Sequence, residues 1–405
     1  MIIELLEYES KDVELSEEAL ADLAEVAEKR LLIGLSRQPG LYTVKATENV
    51  GTIVASEVTV LIRPKVATEH LFAMLGVGPK SIPGAIYGFD LNPDLLTIMA
   101  QVFASSVEHA TARGVLHGYR NTEERLISPR GRIDVTEQLR HPAMVSPVAC
   151  RFDEYTADFF PNRVLVAALD RLDHLPALEP QLRVRLHRLT ARFEDVAHSS
   201  VDVKLIDRWQ PTRIDQHYEE AMRLAAVVLR NLSLSQRSGT QRHVSFTVDM
   251  NDLFQLFVTN RLRRYLRGRI ELLGEPTVPL DEAKRLNMKP DLVFQKYQQP
   301  IFVGDVKYKL SSGSGRISDY YQLLAYTTAM KLNEGVLVYA QNPNDQTELG
   351  SDDLVQTTLI KNTDKVIHVY RLPLSGTAAE LEIALAQLAD WVADLASENS
   401  SAAAA

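Results

Sequence analysis

Asp291, Asp305 and Lys307 are the residues whose types and spacing best fit a chemical task in this chain. Asp291 follows Pro290 and opens the apolar run Leu292, Val293, Phe294; Asp305 and Lys307 close a second run that begins Ile301, Phe302, Val303. Gln298, Gln299 and Pro300 separate the runs, so the spacing predicts a β-hairpin with a polar turn. Side chains alternate along a strand, which puts Asp305, Lys307 and Lys309 on one face and Val306 and Tyr308 on the other. Two carboxylates beside an ammonium suit hydrolysis of a phosphodiester. Asp291, Asp305 and the backbone carbonyl of Val306 are suitable ligands for Mg²⁺, or for Mn²⁺ in its place, and such an ion offsets oxygen charge and generates hydroxide. Lys307 is then placed to orient the attacking water or to meet transition-state charge. The plain alternative is an exposed hairpin with solvated charges, because Asp-x-Lys also arises by chance.

These residues need elements to hold them. A helix is predicted over 316–330, after Gly313 and Gly315, with Gln322 and Tyr326 one turn apart on one face. A second helix is predicted from Asp249 to Leu266, ahead of the hairpin. Arg261, Arg263, Arg264, Arg267 and Arg269 crowd its end with no acid among them. Such a cluster beside Tyr265 can grip a phosphate backbone, or it can simply complement the helix dipole. The order Pro-Asp, thirteen residues, Asp-x-Lys, then a Gln-x-x-x-Tyr helix is similar to the RecB-like branch of the PD-(D/E)xK nucleases. That resemblance implies that Gln322 and Tyr326 hold DNA or the lysine beside the site.

Composition narrows the setting. At 405 residues the chain has room for about two or three domains,. Hydrophobic content of 45% and charged content of 24% are ordinary for a globular protein,. No apolar run nears the roughly 20 residues of a membrane span. The start lacks a basic region and a cleavage site, and together with the lone Cys150 this predicts a cytoplasmic protein without an intrachain disulfide or zinc cluster. A net charge of −9 argues against coating nucleic acid with the whole surface, although local patches decide contact,.

In chain order, residues 1–118 read as an α+β module. Ser16 is placed to cap a helix over 17–32, and short strands are expected at 41–44, 50–54 and 58–62. The last ends in Arg63, Pro64 and Lys65, whose cations face a partner surface, phosphate or plain solvent. Gly76 to Ser81 lacks the spacing of a phosphate-binding loop, so no nucleotide is expected on this chain. Residues 119–240 read as mostly helical, with Gly131 turning between Arg130 and Arg132, and the polar run 233–240 marks a boundary. Residues 241–396 read as an α/β domain, and 397–405 as a disordered tail. The fold class expected is therefore α/β, with the hairpin in its C-terminal domain.

Taken together, the chain resembles the McrC family, the nuclease subunits of McrBC-type restriction systems. The resemblance rests on Val50 to Ile53, Ile62 to Lys65, Arg130 to Leu139, Tyr155 to Asp158 with Asn162 and Arg163, Asp249 to Phe254, and the hairpin residues. It implies a subunit whose amino-terminal part, Arg63 and Lys65 included, docks in the pore of a hexameric AAA+ GTPase (McrB-like) and stimulates it. The partner binds GTP and recognises double-stranded DNA carrying modified cytosine; this chain cuts. Asp291, Asp305 and Lys307 become the catalytic trio, supported by Gln322 and Tyr326. Relatives carry a glutamate where this sequence has Gln255, an amide able to hold a metal-bound water without adding charge, with Asp252 nearby as a substitute. A stand-alone RecB-like repair nuclease and a non-cleaving activator of an AAA+ motor are the alternative readings.

Overall fold

Asp249 starts the C-terminal fold: its Oδ1 accepts the N–H groups of Asn251 at 2.8 Å and Asp252 at 3.2 Å, capping helix α1, Met250–Tyr265,. The computed structural model describes residues 1–27, 30–55, 57–76, 95–141, 143–175, 178–236, 242–308, 317–341, 355–374 and 376–402. After α1 come strands β1 (Glu271–Gly274), β2 (Leu292–Lys296) and β3 (Gln299–Lys307), helix α2 (Ile317–Ala329), strands β4 (Glu334–Gln341), β5 (Val355–Leu359) and β6 (Val366–Pro373), and helix α3 (Ala378–Ala402). The strands form one six-stranded sheet in the order β1-β2-β3-β4-β6-β5. Pairing is antiparallel from β1 to β3, parallel across β3, β4 and β6, and antiparallel again at β5.

The two faces of this sheet have different covers. Phe302 of β3 and His368 of β6 meet Trp391 of α3, with ring centroids 6.2 and 5.1 Å apart. Val293, Val303, Leu337 and Val369 face the other way and pack with Leu323 and Tyr326 of α2. Odd-numbered residues of β3 therefore look toward α2. The helix lies close because Gly335 has no side chain: a Cβ there would stand 3.1 Å from atoms of Leu323 and Thr327.

Contacts divide the chain into two compact units, Met1–Val50 with Val60–Pro79 and Thr247–Ala405, and Gly51–Thr59 with Lys80–Phe246. The segment read as one module over 1–118 is thus shared between them. In the first unit, strand Tyr42–Ala46 lies between Ser10–Val13 and Leu31–Leu35, and Ser16 Oγ accepts the N–H of Ala19 at 3.1 Å as a cap. The buried Glu7 accepts from Tyr308 Oη at 2.9 Å and from the Lys65 N–H at 2.6 Å. Residues some 300 positions apart in sequence are so tied one step beyond Lys307, the separation being 301.

In the second unit, helices Leu95–Ala110, Phe160–Asp173, Pro180–Thr190 and Glu219–Asn231 bury apolar faces together. The stretch expected as helical from Tyr119 is instead β: Gly118–Leu126 and Val148–Thr156 pair antiparallel over their full lengths. Their alternation lies in charge, with ion pairs Arg120 to Glu154 at 2.9 Å and Arg151 to Glu123 at 3.1 Å across the strands, so no apolar period announced them,. Gly131 has φ of 72°, and a Cβ there would meet the Arg151 carbonyl at 2.5 Å. Arg130 stacks on Phe152, its guanidinium 4.7 Å from the ring centroid. Asn162 is buried and donates to the carbonyls of Leu116 and Ala157, both at 2.7 Å. Asp158 binds Arg163 at 2.6 and 2.7 Å and also pairs with Arg120; the Arg163 guanidinium holds its carboxyl pKa down to about 2. These motif residues build the unit.

The closing helix, expected to end at 396, continues to Ala402. Of the tail expected over 397–405, residues 403–405 lie outside the described ones, as do Lys309, the link from Gly313 to Gly315, residues 77–81 and residues 237–240 of the polar run.

Candidate active site

Register brings the candidate residues together. Leu292 pairs with Gly304 and Val293 with Val303, so Asp291 shares the α2 side of the sheet with Val293, Val303, Asp305 and Lys307,. The Val306 N–H donates to Asp291 Oδ2 at 2.8 Å, which ties the first aspartate to the strand carrying the second. Asp305 is fully buried, and Lys307 Nζ stands 2.5 Å from its Oδ2. Lys307 is thus the ionic partner of the buried Oδ2. From α2, Gln322 Nε2 reaches Asp305 Oδ1 at 3.4 Å and Tyr326 Oη at 2.6 Å, while Tyr326 Oη reaches the Lys289 carbonyl at 3.4 Å. Five of the candidate residues thus form one connected polar cluster in an otherwise apolar layer.

The electrostatics follow from burial. Burial and then the nearby Asp305 charge push the Asp291 carboxyl up to about 7. Burial raises Asp305 as well, opposed by the Lys307 ammonium. For Lys307, burial pulls downward, but Asp305 more than offsets it and the net shift is up. The lysine stays charged while the two carboxylates repel, which leaves a buried, oxygen-lined place for another cation. These donors fit a hard divalent ion such as Mg²⁺. Among the described residues no group of three or more His, Cys, Asp or Glu side chains converges as a metal cage, so backbone and water oxygens would complete the shell.

A pH dependence follows. An acid whose folded pKa lies above its unfolded value near 4 stabilises the fold at low pH and loses that contribution as pH rises toward about 7,. A divalent cation reverses the preference because it must displace the proton. Below pH about 7 its affinity should therefore fall about tenfold per unit, flattening above, as titration calorimetry with Mg²⁺ or Mn²⁺ would show,. A flat affinity from pH about 6 to 8 would detach the cation from Asp291.

Other candidates lie elsewhere. Gln255 Nε2 donates to Glu275 Oε1 at 3.0 Å, and the Glu275 N–H donates to the Asp291 carbonyl at 3.2 Å, so the amide meets the site through Glu275. Asp252 is raised by burial and then by Asp249, Glu275 and Glu48. Arg261 pairs with Glu382 of α3 at 2.9 Å. Arg263 donates to the Leu272 carbonyl and to Asn260 Oδ1, each at 3.2 Å, whereas Arg264 and Arg267 are exposed. Arg63 pairs with Glu4 at 2.6 Å, and Lys65 Nζ sits 5.5 Å from the Tyr8 ring centroid.

Two residues escaped sequence reading. Asp319 in the first turn of α2 is buried, accepts from Tyr339 Oη at 2.6 Å, and its charge bears on Asp305 and Lys307. Tyr339 stands beside Lys307 in the parallel register of β3 and β4. The only sequence signal was an acid three positions before Gln322; the partner strand carries no sign of it.

A family model described as McrBC 5-methylcytosine restriction system component matches residues 44–340. The refined half-complex from a tetradecameric assembly of Thermococcus gammatolerans McrB AAA+ hexamers with bound McrC is similar in fold. Identity is 18%, covering 97% of this chain and 100% of that one, at a TM-score of 0.56. The cryo-EM structure of the Thermococcus gammatolerans McrBC complex shows 20% identity over 66% of this chain and 88% of that one, at a TM-score of 0.42. No curated protein matches. No helix among the described residues is long and apolar enough to cross a membrane.

Proposed function

This chain belongs to the McrBC family of 5-methylcytosine restriction system components, and from that premise we propose that it is the McrC-like subunit, a metal-dependent DNA endonuclease of the PD-(D/E)xK type. The observation that carries the reading is the cluster of buried Asp305 with half-buried Asp291 and Lys307, tied to Gln322 and Tyr326. Asp291 and Asp305, with the Val306 carbonyl, would hold Mg²⁺; Gln255 would contribute through Glu275 and water. When bound, the ion lowers the pKa of a bound water and offsets charge on phosphate oxygens.

The chain's own residues do the rest. Lys307 presents its ammonium to the phosphate, where it meets charge as an oxygen of water bonds to phosphorus and the bond to a deoxyribose oxygen breaks. Gln322 fixes the Asp305 carboxylate from the α2 side, and Tyr326 fixes Gln322. Arg264 and Arg267 lie free to meet the DNA backbone near the end of α1,.

The partner proposed is a hexameric McrB-like AAA+ GTPase that selects DNA with modified cytosine. Arg63 and Lys65 are proposed contacts to it. Further proposed contacts lie on the second unit, where Ile127 and Val145 are 86% and 81% exposed and Val135 and Leu139 are also uncovered. An Ile127→Asp, Val145→Asp double variant should lose stimulation of partner GTP hydrolysis while keeping its melting temperature; full stimulation would move docking elsewhere.

The deciding experiment offers methylated and unmethylated plasmid with Mg²⁺ to this protein, with and without the partner and GTP. Cutting of methylated plasmid that needs both is expected. Cutting by this chain alone would favour a stand-alone nuclease, and GTPase stimulation without cutting would make it a motor activator.

A further inference from the structure

A cleft of about 760 Å³ opens between the end of α1, the edge strand β1 and the turn joining β2 to β3. Its lining holds four cations, Arg263, Arg267, Arg269 and Lys296, against one carboxylate, Glu271. That carboxylate is already engaged, accepting from Gln295 Nε2 at 2.8 Å. Arg269 pairs with Asp390, but the aspartate is 66% exposed, and a surface pair of this kind is weak enough to exchange for a phosphate,.

The turn at the mouth is unusual. Tyr297 and Gln298 have φ of 52° and 62°, the left-handed region that such two-residue turns normally fill with Asn or Gly,. The cost of that backbone is accepted to place a tyrosine that packs into no core: Tyr297 is 90% exposed, and Lys296 Nζ stands 5.9 Å from its ring centroid,. A flat aromatic face beside a row of cations is the combination that takes a nucleic-acid strand, with the phosphates on the charges and a base on the ring.

The cleft also points at the candidate site. Gly274 of β1 pairs with Leu292, next to Asp291, and Glu271 pairs with Gln295, next to Lys296. From Tyr297 back to Asp291 is six residues of strand, on the order of 20 Å, which about six nucleotides of one strand would span at roughly 3.4 Å each.

We propose that this cleft is the track for one DNA strand, Arg263, Arg267, Arg269 and Lys296 taking its phosphates and Tyr297 stacking on an unpaired base. This rests on the nuclease reading and extends it to the path by which DNA reaches the carboxylates. The assignment brings in Arg269, Lys296 and Tyr297, which the helix-end arginines alone would not suggest.

The test is fluorescence anisotropy with the full-length protein in EDTA, using a labelled duplex with a single-stranded overhang and a blunt duplex, each across a salt series. Cutting with partner, GTP and Mg²⁺ is measured alongside. Tyr297→Ala should weaken binding to the overhang DNA about tenfold or more and leave the salt dependence unchanged. Arg267→Gln and Lys296→Gln should each lower the slope of log affinity against log salt by about 0.7. Wild type that binds and cuts while all three variants bind unchanged overturns the cleft alone. An equal loss on blunt duplex for Tyr297→Ala overturns the stacking role. Wild type that neither binds nor cuts overturns the nuclease reading, and the cleft with it. All three side chains are exposed, so a folding defect does not confuse the result.

Discussion

Asp305→Ala will leave methylated plasmid uncut, a loss on the order of 10³-fold or more, while partner GTP hydrolysis still rises when the variant is added. The carboxylate is fully buried and is the one group that touches both Lys307 and Gln322. Without it, a cation would have Asp291 as its remaining carboxylate, and the Lys307 ammonium would be left buried with no counter-charge at hydrogen-bond distance. Such a lysine sheds its proton more readily, so the variant loses two charges' worth of function through one substitution. The fold should survive with a lowered melting temperature, because one ion pair is broken while the Asp291 charge remains to act on Lys307,. Asp305→Asn, which keeps the shape, should be equally inactive. Plasmid cleavage, GTPase assays and thermal melts on both variants separate the outcomes. Near-normal cutting would remove Asp305 from the chemistry, and loss of cutting, stimulation and melting together would mark it as structural.

How the site is built explains what could be read beforehand. The hairpin was legible because its apolar runs are short, period two is strict near Asp305, and a proline precedes Asp291. The turn falls at Tyr297 and Gln298, one step earlier than Pro300 suggested. Pairing shifts from Phe294 opposite Phe302 to Gln295 opposite Pro300, so the proline sits beside a bulge where its missing N–H does no harm,. Gln322 and Tyr326 were legible as an i, i+4 pair. Asp319 and Tyr339 were not, since their meeting depends on the parallel register of β3 and β4, which no local pattern encodes.

Longer distances were harder still. Glu7 and Tyr308 join an amino-terminal strand end to the end of β3 through a buried hydrogen bond, and burial with the Glu7 charge raises the Tyr308 hydroxyl well above its ordinary range. Residues 1–118 read as one module because local sequence cannot show which surface a strand will cover. The strands Gly118–Leu126 and Val148–Thr156 were missed for the opposite reason: their charges pair across the sheet, and an alternation of Arg and Glu has no hydrophobic signature.

Lys307→Ala will slow cleavage on the order of 10²-fold at saturating Mg²⁺ and leave partner stimulation unchanged. Among the described residues its ammonium is the one cation at hydrogen-bond distance from Asp305, and the net effect of its surroundings is to keep it protonated. Two roles are open to such a group. It can meet charge that develops on the phosphate, or it can merely balance Asp291 and Asp305 so that they ionise and accept a cation. The second role predicts that the variant's carboxylates rise further, that Mg²⁺ binds more weakly, and that enough Mg²⁺ restores the rate. The first predicts a defect that survives any Mg²⁺ concentration, because the lost interaction exists only in the transition state. Cleavage rates for wild type and variant over a Mg²⁺ titration decide between them. The ion pair engages one carboxylate oxygen while an ammonium carries three N–H donors, which leaves donors for a phosphate and favours the defect that Mg²⁺ does not repair,. Full recovery at high Mg²⁺ would reduce Lys307 to a counter-ion, and a normal rate throughout would make it a bystander.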